Sequence, residues 1–243
     1  MIVGLLGGNE LGAGSRDFDQ ALAEASGANE VCIVGTAAAA QRGLDIALAH
    51  ARRHFRGLGL DTADSGLHRR SDASRAEVAE RLRGARLVYL LGGDPGRLLD
   101  ALLGTRAWAA MLDVLHAGGA VAGSSAGAMV LAGAVLLRSR DPRPARRHAR
   151  EGLGLLRDCA VIPHANRFAA GWLEAAHRAA PGADVLGLDE ETGAIHTGGR
   201  GWVVYGPGEV RLWRHGAVPA RSRRAGETLD WRAPAFQRPP KVV

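Results

Sequence analysis

The stretch Gly119-Ala120-Val121-Ala122-Gly123-Ser124-Ser125-Ala126-Gly127-Ala128 constrains this chain more than any other. The apolar run Ala120 to Ala122 is too short for a helix and reads as the end of a buried strand. Small residues follow without a break, and Met129-Val130-Leu131-Ala132 then resumes the apolar pattern. A strand that turns sharply into a helix needs such residues. Glycines let the two elements approach, and the central serine is left at the tip of the turn. The frame Gly123-Ser124-Ser125-Ala126-Gly127 fits the G-x-S-x-G nucleophile elbow, with the Ser125 hydroxyl above a sheet edge and the Ala126 N–H pointing the same way. The same residues also suit a small-residue helix cap with Ser124 or Ser125 at the N-cap. The rest of the chain has to decide between a reactive serine and a capping one.

Near-continuous apolar strands alternate with helical patterns before the elbow. Ile2 to Leu6 ends in Gly7-Gly8-Asn9-Glu10, Glu30 to Val34 ends in Gly35-Thr36, and Arg86 to Leu91 ends in Gly92-Gly93-Asp94-Pro95. Leu58 to Leu60 reads as a short strand. Helical patterns cover about 15–25, 37–55, 71–83, 98–103 and 108–116. This alternation predicts an α/β chain with a parallel sheet covered on both faces, whose chemistry collects outside the carboxyl ends of the strands. Beyond the elbow, Arg138 to Arg150 reads as an exposed loop. Leu155 to Ile162 is a strand ending at Pro163-His164, and Phe168 to Ala180 is helical. Short strands at 184–188, 193–197, 202–205 and 209–213 predict an antiparallel extension of the sheet. We expect one domain over residues 1–214 and a loose or draped Arg/Pro-rich tail over 215–243.

Composition narrows the partners. Hydrophobic residues make up 47% of the 243, enough for a large core. The net charge of +6 comes almost entirely from arginine, Lys241 being the only lysine. No basic patch is interleaved with aromatics, so no nucleic-acid partner is expected. No apolar stretch reaches transmembrane length, and Met1 to Gly8 has no basic leader, so neither a membrane nor a signal peptide is expected. The two cysteines, Cys32 and Cys159, lie inside apolar runs and read as buried free thiols, which suits a cytoplasmic location. No metal-ligand spacing and no nucleotide-binding glycine pattern occurs, so neither metal nor cofactor is expected. A homodimer is left open.

A serine hydroxyl needs a base, and the base needs an orienting group. Of nine histidines, His164 alone directly follows an apolar strand, and so should reach the sheet edge where Ser125 stands. Leu188-Asp189-Glu190-Glu191-Thr192 places carboxylates at the end of another short strand. Asp141, in the Arg/Pro-rich stretch, is a rival for the orienting role. Gly92-Gly93 ends the strand expected beside the elbow strand, and a bare Gly-Gly turn lets a backbone N–H come close to a substrate.

Gly92-Gly93-Asp94, then Gly123 to Ala128, then His164, then Gly187-Leu188-Asp189-Glu190 and Thr192, in this order and spacing, resemble the S51 serine peptidases, which include aspartyl dipeptidase and cyanophycinase. The resemblance runs from about Leu5 to Val210. It implies a flavodoxin-like three-layer sandwich related to class I glutamine amidotransferases. It also implies a serine hydrolase of small peptides or amides that works through an acyl-enzyme. Ser125 would be the nucleophile, His164 the base and Glu190 the orienting carboxylate. Gly93 and Ala126 would form the oxyanion hole, and Gly92, Asp94, Asp189 and Thr192 would bind substrate. Pro95 stands where the family often has Gln. Ile162-Pro163-His164-Ala165 stands for Asp-Gln-His-Phe, and Asn166-Arg167 for Arg-Gly-Arg. Acidic or β-aspartyl specificity is therefore not carried over. The competing readings are a member that has lost activity and serves as a binding module, and an amidotransferase-like glutaminase. The latter is disfavoured because neither cysteine sits in an elbow.

Overall fold

Alternate residues of the early strands go to different cores, and that partition sets the layers. The computed structural model describes residues 1–39, 43–138, 147–199, 201–214, 221–232 and 234. Strands β1 (Ile2–Leu6), β2 (Glu30–Val34), β3 (Asp61–Asp64), β4 (Leu87–Leu90) and β5 (Ala120–Ser124) are parallel, in the order β1-β5-β4-β2-β3. Ile2, Leu6, Ile33, Tyr89 and Ala122 face one side, where helices α1 (Arg16–Ser26) and α2 (Gly43–Arg56) supply Phe18, Leu22 and Phe55. Val3, Leu5, Val34, Leu90 and Val121 face the other side, against α3 (Ala76–Arg83), α4 (Pro95–Leu102), α5 (Arg106–His116) and α6 (Ala126–Leu131). Burial on both faces is the physical reason these strands read as unbroken apolar runs.

The chain then builds a second sheet. Strands β6 (Ala132–Arg138), β7 (Arg147–Glu151) and β8 (Leu156–Ile162) are followed by helix α7 (Ala165–Ala179) and β9 (Asp184–Leu188). Their order is β9-β8-β6-β7, parallel except for the antiparallel edge strand β7. Strands β10 (Gly193–His196) and β11 (Trp202–Tyr205) return to the first sheet antiparallel beside β1, and β12 (Val210–Trp213) pairs antiparallel with β9. Leu156, Val161 and Leu186 of the second sheet share one apolar core with Leu5, Leu90 and Val121 of the first. Among the described residues no helix is long and apolar enough to cross a membrane.

The α/β architecture, largely parallel with later antiparallel strands, matches the expectation; three details differ. The stretch 138–150 is not simply a loop, because its two ends belong to β6 and β7. The strand β7, Arg-His-Ala-Arg-Glu, carries no alternating apolar signal because it lies at an edge and its pairing is made by the backbone. The short strand expected at 58–60 forms instead at Asp61–Asp64. The tail is integrated where described: β13 (Arg221–Arg223) pairs with β12, and β14 (Thr228–Leu229) pairs with β11. Trp231 is buried against Trp202, ring centroids 5.7 Å apart, and its indole N–H donates to Asp184 at 3.0 Å. The arginine count of the tail masked these apolar anchors.

Where the strands end decides what meets. Strands β1, β5 and β4 are neighbours, so Gly7-Gly8, Ser125 and Gly92-Gly93 emerge side by side. Strands β8 and β9 are neighbours in the other sheet and deliver His164 and Asp189-Glu190. The two groups are stitched by backbone bonds from His164 N–H to the Gly7 carbonyl at 2.8 Å and from Gly7 N–H to the Thr192 carbonyl at 2.9 Å.

Candidate active site

Ser125 sits between β5 and α6 with φ 47° and ψ −109°, a conformation that costs an L-residue free energy. Its N–H donates to the Leu6 carbonyl at 2.9 Å. The glycines on either side answer to space. A Cβ on Gly127 would collide with the Leu90 carbonyl, and one on Gly123 would collide with the Gly127 backbone. Among the described residues, six non-glycine residues have positive φ, and two of them, Ser125 and His164, line this site in contact with each other. Backbone strain at two side chains in contact points to a functional constraint there.

His164 follows β8 at φ 52° and begins α7. Its Nε2 lies 3.1 Å from the Ser125 hydroxyl oxygen, and its Nδ1 lies 2.9 Å from the Glu190 carboxylate. An ionised carboxylate can only accept, so Nδ1 carries the proton and Nε2 presents its lone pair to the Ser125 O–H. The imidazole rests on Gly8, where a Cβ would strike the ring. Glu190 is held in turn by α7: the Arg167 Nε lies 3.0 Å from its second oxygen, and the Glu190 N–H donates to the Asn166 side chain at 3.2 Å. Asn166 and Arg167 thus brace the carboxylate.

Beside the serine, the turn after β4 is fixed on both flanks. Asp94 N–H donates to the Ala37 carbonyl at 3.0 Å, and Gly92 N–H donates to the Glu10 carboxylate at 2.6 Å. Gly93 between them has φ 136°. The N–H groups of Gly93 and Ala126 have no acceptor among the described residues. Asp94 caps α4, accepting from Gly96 N–H at 2.8 Å and Arg97 N–H at 3.1 Å. A cavity of about 840 Å³ opens here, and Gly93, Asp94, Ser125 and His164 line it.

One wall of the cavity is cationic. Arg138 and Arg147 are directly paired across the β6–β7 ladder, and both line the cavity together with Arg97 and Arg150. Arg150 is partnered by Asp100 at 2.7 Å. The Arg147 guanidinium lies 3.2 Å from the Trp172 ring centroid. Burial, with the charge of Arg138 added, brings the Arg147 guanidinium down to about 10. Like charges directly across a ladder repel, so an anion bound here would relieve the strain.

Not every expected residue faces this space. Asp189 is buried behind it; it accepts from Glu209 N–H at 2.9 Å and pairs with Arg211. Thr192 is fully buried, accepting from Gly208 N–H at 2.8 Å and donating to the Glu190 carbonyl at 3.1 Å. Both shape the turn that carries Glu190. The rival acid, Asp141, lies outside the described residues. Cys32 and Cys159 are buried free thiols, and burial pushes both up to about 12. Sequence reasoning missed Glu10, and it named Glu191 only as one of the carboxylates after the strand at 184–188. Glu191 accepts from Asn9 Nδ2 at 2.7 Å and Gly14 N–H at 3.1 Å, tying its turn to the loop after β1. The one available signal was the Gly7-Gly8 pair at the end of a buried parallel strand.

The model of peptidase family S51 matches residues 5–203 of this chain. The chain is similar to the crystal structure of a peptidase from an acI-B1 Actinobacterium, at 29% identity and a TM-score of 0.83, over 95% of this chain and 96% of that one. It also shares a fold with a candidate peptidase E protein from Listeria monocytogenes EGD-e, at 16% identity and a TM-score of 0.62, over 85% of this chain and 98% of that one. No curated protein matches it.

Proposed function

The chain belongs to peptidase family S51, and from that premise we propose that it is a serine-type peptidase of small, anionic peptides or amides. The observation that carries the reading is the row Ser125–His164–Glu190, with contacts of 3.1 Å and 2.9 Å. In the first step the Ser125 oxygen attacks the scissile carbonyl carbon while its proton passes to His164 Nε2. Glu190 stabilises the resulting imidazolium and fixes its tautomer. The carbonyl oxygen becomes an oxyanion, for which the N–H groups of Gly93 and Ala126 are the available donors. The imidazolium then gives its proton to the leaving amine as the C–N bond breaks, which leaves an acyl-enzyme on Ser125. Water, deprotonated by His164, cleaves the ester and returns the serine.

Substrate charge is read from the wall of arginines. Arg138 and Arg147 face each other across the ladder, among the described residues no carboxylate pairs with either, and a substrate carboxylate would fill the place between them. A cysteine-based glutaminase finds no support, since both thiols are buried away from the cavity. The test is a panel of dipeptides with and without acidic side chains, incubated with the wild type and with Ser125→Ala. The reading expects hydrolysis of acidic members by the wild type only. Equal hydrolysis by Ser125→Ala would overturn it.

A further inference from the structure

Glu10 joins the ends of two neighbouring strands, and both of its oxygens are used to do so. One accepts the Gly92 N–H at 2.6 Å, in the turn after β4. The other accepts the Ser124 hydroxyl at 2.9 Å, one residue before Ser125. These partners lie 82 and 114 residues along the chain. Ser124 is fully buried, so without Glu10 its hydroxyl would be a buried donor with no acceptor.

The consequence falls on Gly93. Its peptide is held one residue to the left by Glu10 on the Gly92 N–H and one residue to the right by Ala37 on the Asp94 N–H. Only the Gly93 N–H between them is left over. The turn is also pressed against its neighbours: a Cβ on Gly92 would stand 2.7 Å from the Glu10 carboxylate and 3.2 Å from the Ser125 Cβ. The same carboxylate therefore sets the distance between a donor and the serine that it must serve. We propose that Glu10 is a positioning residue that holds the Gly93 N–H in register with the Ser125 hydroxyl, so that both reach one carbonyl group. This rests on the peptidase reading given above. Glu10 touches neither substrate nor the reacting atoms, and it transfers no proton.

Reach and charge can be separated by two variants. Glu10→Gln keeps the length of the side chain; its carbonyl oxygen can still accept the Gly92 N–H, and its amide can donate to the Ser124 oxygen. Both strand ends then stay joined while the Ser124 proton loses its acceptor, a cost in stability and not in position. Glu10→Asp keeps the charge but is one methylene short, and cannot hold both partners. The readouts are kcat and KM on a dipeptide that the wild type turns over, and the affinity of a peptidyl boronate, whose tetrahedral Ser125 adduct places an oxygen where the oxyanion forms. A misplaced oxyanion donor costs on the order of 10²-fold in kcat. We therefore expect Glu10→Asp to lose about 30- to 100-fold in kcat and in boronate affinity, with KM changed by less than about threefold. Glu10→Gln should stay within about threefold of the wild type in all three. Rescue by Gln together with failure of Asp is what a merely structural carboxylate would not produce. The inference is overturned if Glu10→Gln falls as far as Glu10→Asp, or if both retain wild-type kcat and boronate affinity. A wild type that forms no boronate adduct at Ser125 overturns the peptidase reading itself, and this inference with it.

Discussion

At the scale of single residues, the account turns on Ser125, and the first prediction is its removal. Ser125→Ala should lose on the order of 10³-fold or more in kcat and leave the fold intact, as checked by steady-state kinetics and circular dichroism. Ser124→Ala should be milder, because Glu10 keeps its bond to the Gly92 N–H. The second prediction concerns the orienting carboxylate. Glu190 accepts the His164 Nδ1 proton at 2.9 Å, so Glu190→Gln should lower kcat by on the order of 10²-fold or more with KM little changed, in a protein shown to be folded by circular dichroism. Wild-type kcat in that variant would detach Glu190 from His164. The third concerns the thiols. With both pushed up to about 12, neither is a thiolate at pH 8, and neither should react with a disulfide reagent until the protein is unfolded. That the positions of Ser125 and His164 would meet was legible in the sequence, because each follows an apolar strand and the carboxyl ends of such strands converge. Which of the carboxylates Asp189, Glu190 and Glu191 meets the imidazole was not legible, since three acids in a row carry no mark of which one turns inward. Glu10 was not, because its partners are a backbone N–H and a hydroxyl far along the chain, and neither leaves a mark at position 10.

At the scale of elements, the loop after β1 organises the site. Its Gly7 carbonyl anchors His164, its Gly8 carbonyl accepts the Glu191 N–H at 2.8 Å, and its Glu10 reaches the serine strand and the Gly92 turn. The turn between β9 and β10 is secured from the other side by Asp189 and Arg211, whose guanidinium is raised chiefly by that hydrogen bond. Asp189→Ala should cost about 1–3 kcal/mol of stability, because the Glu209 N–H loses its acceptor and Arg211 keeps only one of its two carboxylates. This is measured by denaturant unfolding. KM should change little, since Asp189 does not line the cavity. A large rise in KM with unchanged stability would restore its expected role in substrate binding. Elements with both faces buried were readable as apolar runs. Edge strands such as β7 and β13 were not, since their pairing is carried by backbone groups and their side chains meet solvent.

At the scale of the whole molecule, two sheets share one core and meet at their carboxyl ends, and the site lies along that seam. The end of the described chain helps to hold it. Strand β13 extends the second sheet, strand β14 extends the first, and Trp231 is buried beside Trp202. Trp231→Ala should destabilise the protein by about 3–5 kcal/mol, seen as a lower unfolding midpoint, with kcat of the remaining folded protein preserved. The alternation of apolar strands and helices made the first sheet legible. The division into two sheets was hidden, because a buried parallel strand looks the same whichever sheet it joins. The central claim is that the seam activates one serine, and the most direct measurement is covalent. The whole protein and its His164→Ala variant are incubated with a fluorophosphonate, and the modified peptide is identified by mass spectrometry. The account predicts one adduct per chain, on Ser125, formed by the wild type and slowed on the order of 10³-fold in His164→Ala. A wild type that stays unmodified at Ser125, or a variant that labels as fast as the wild type, would contradict it.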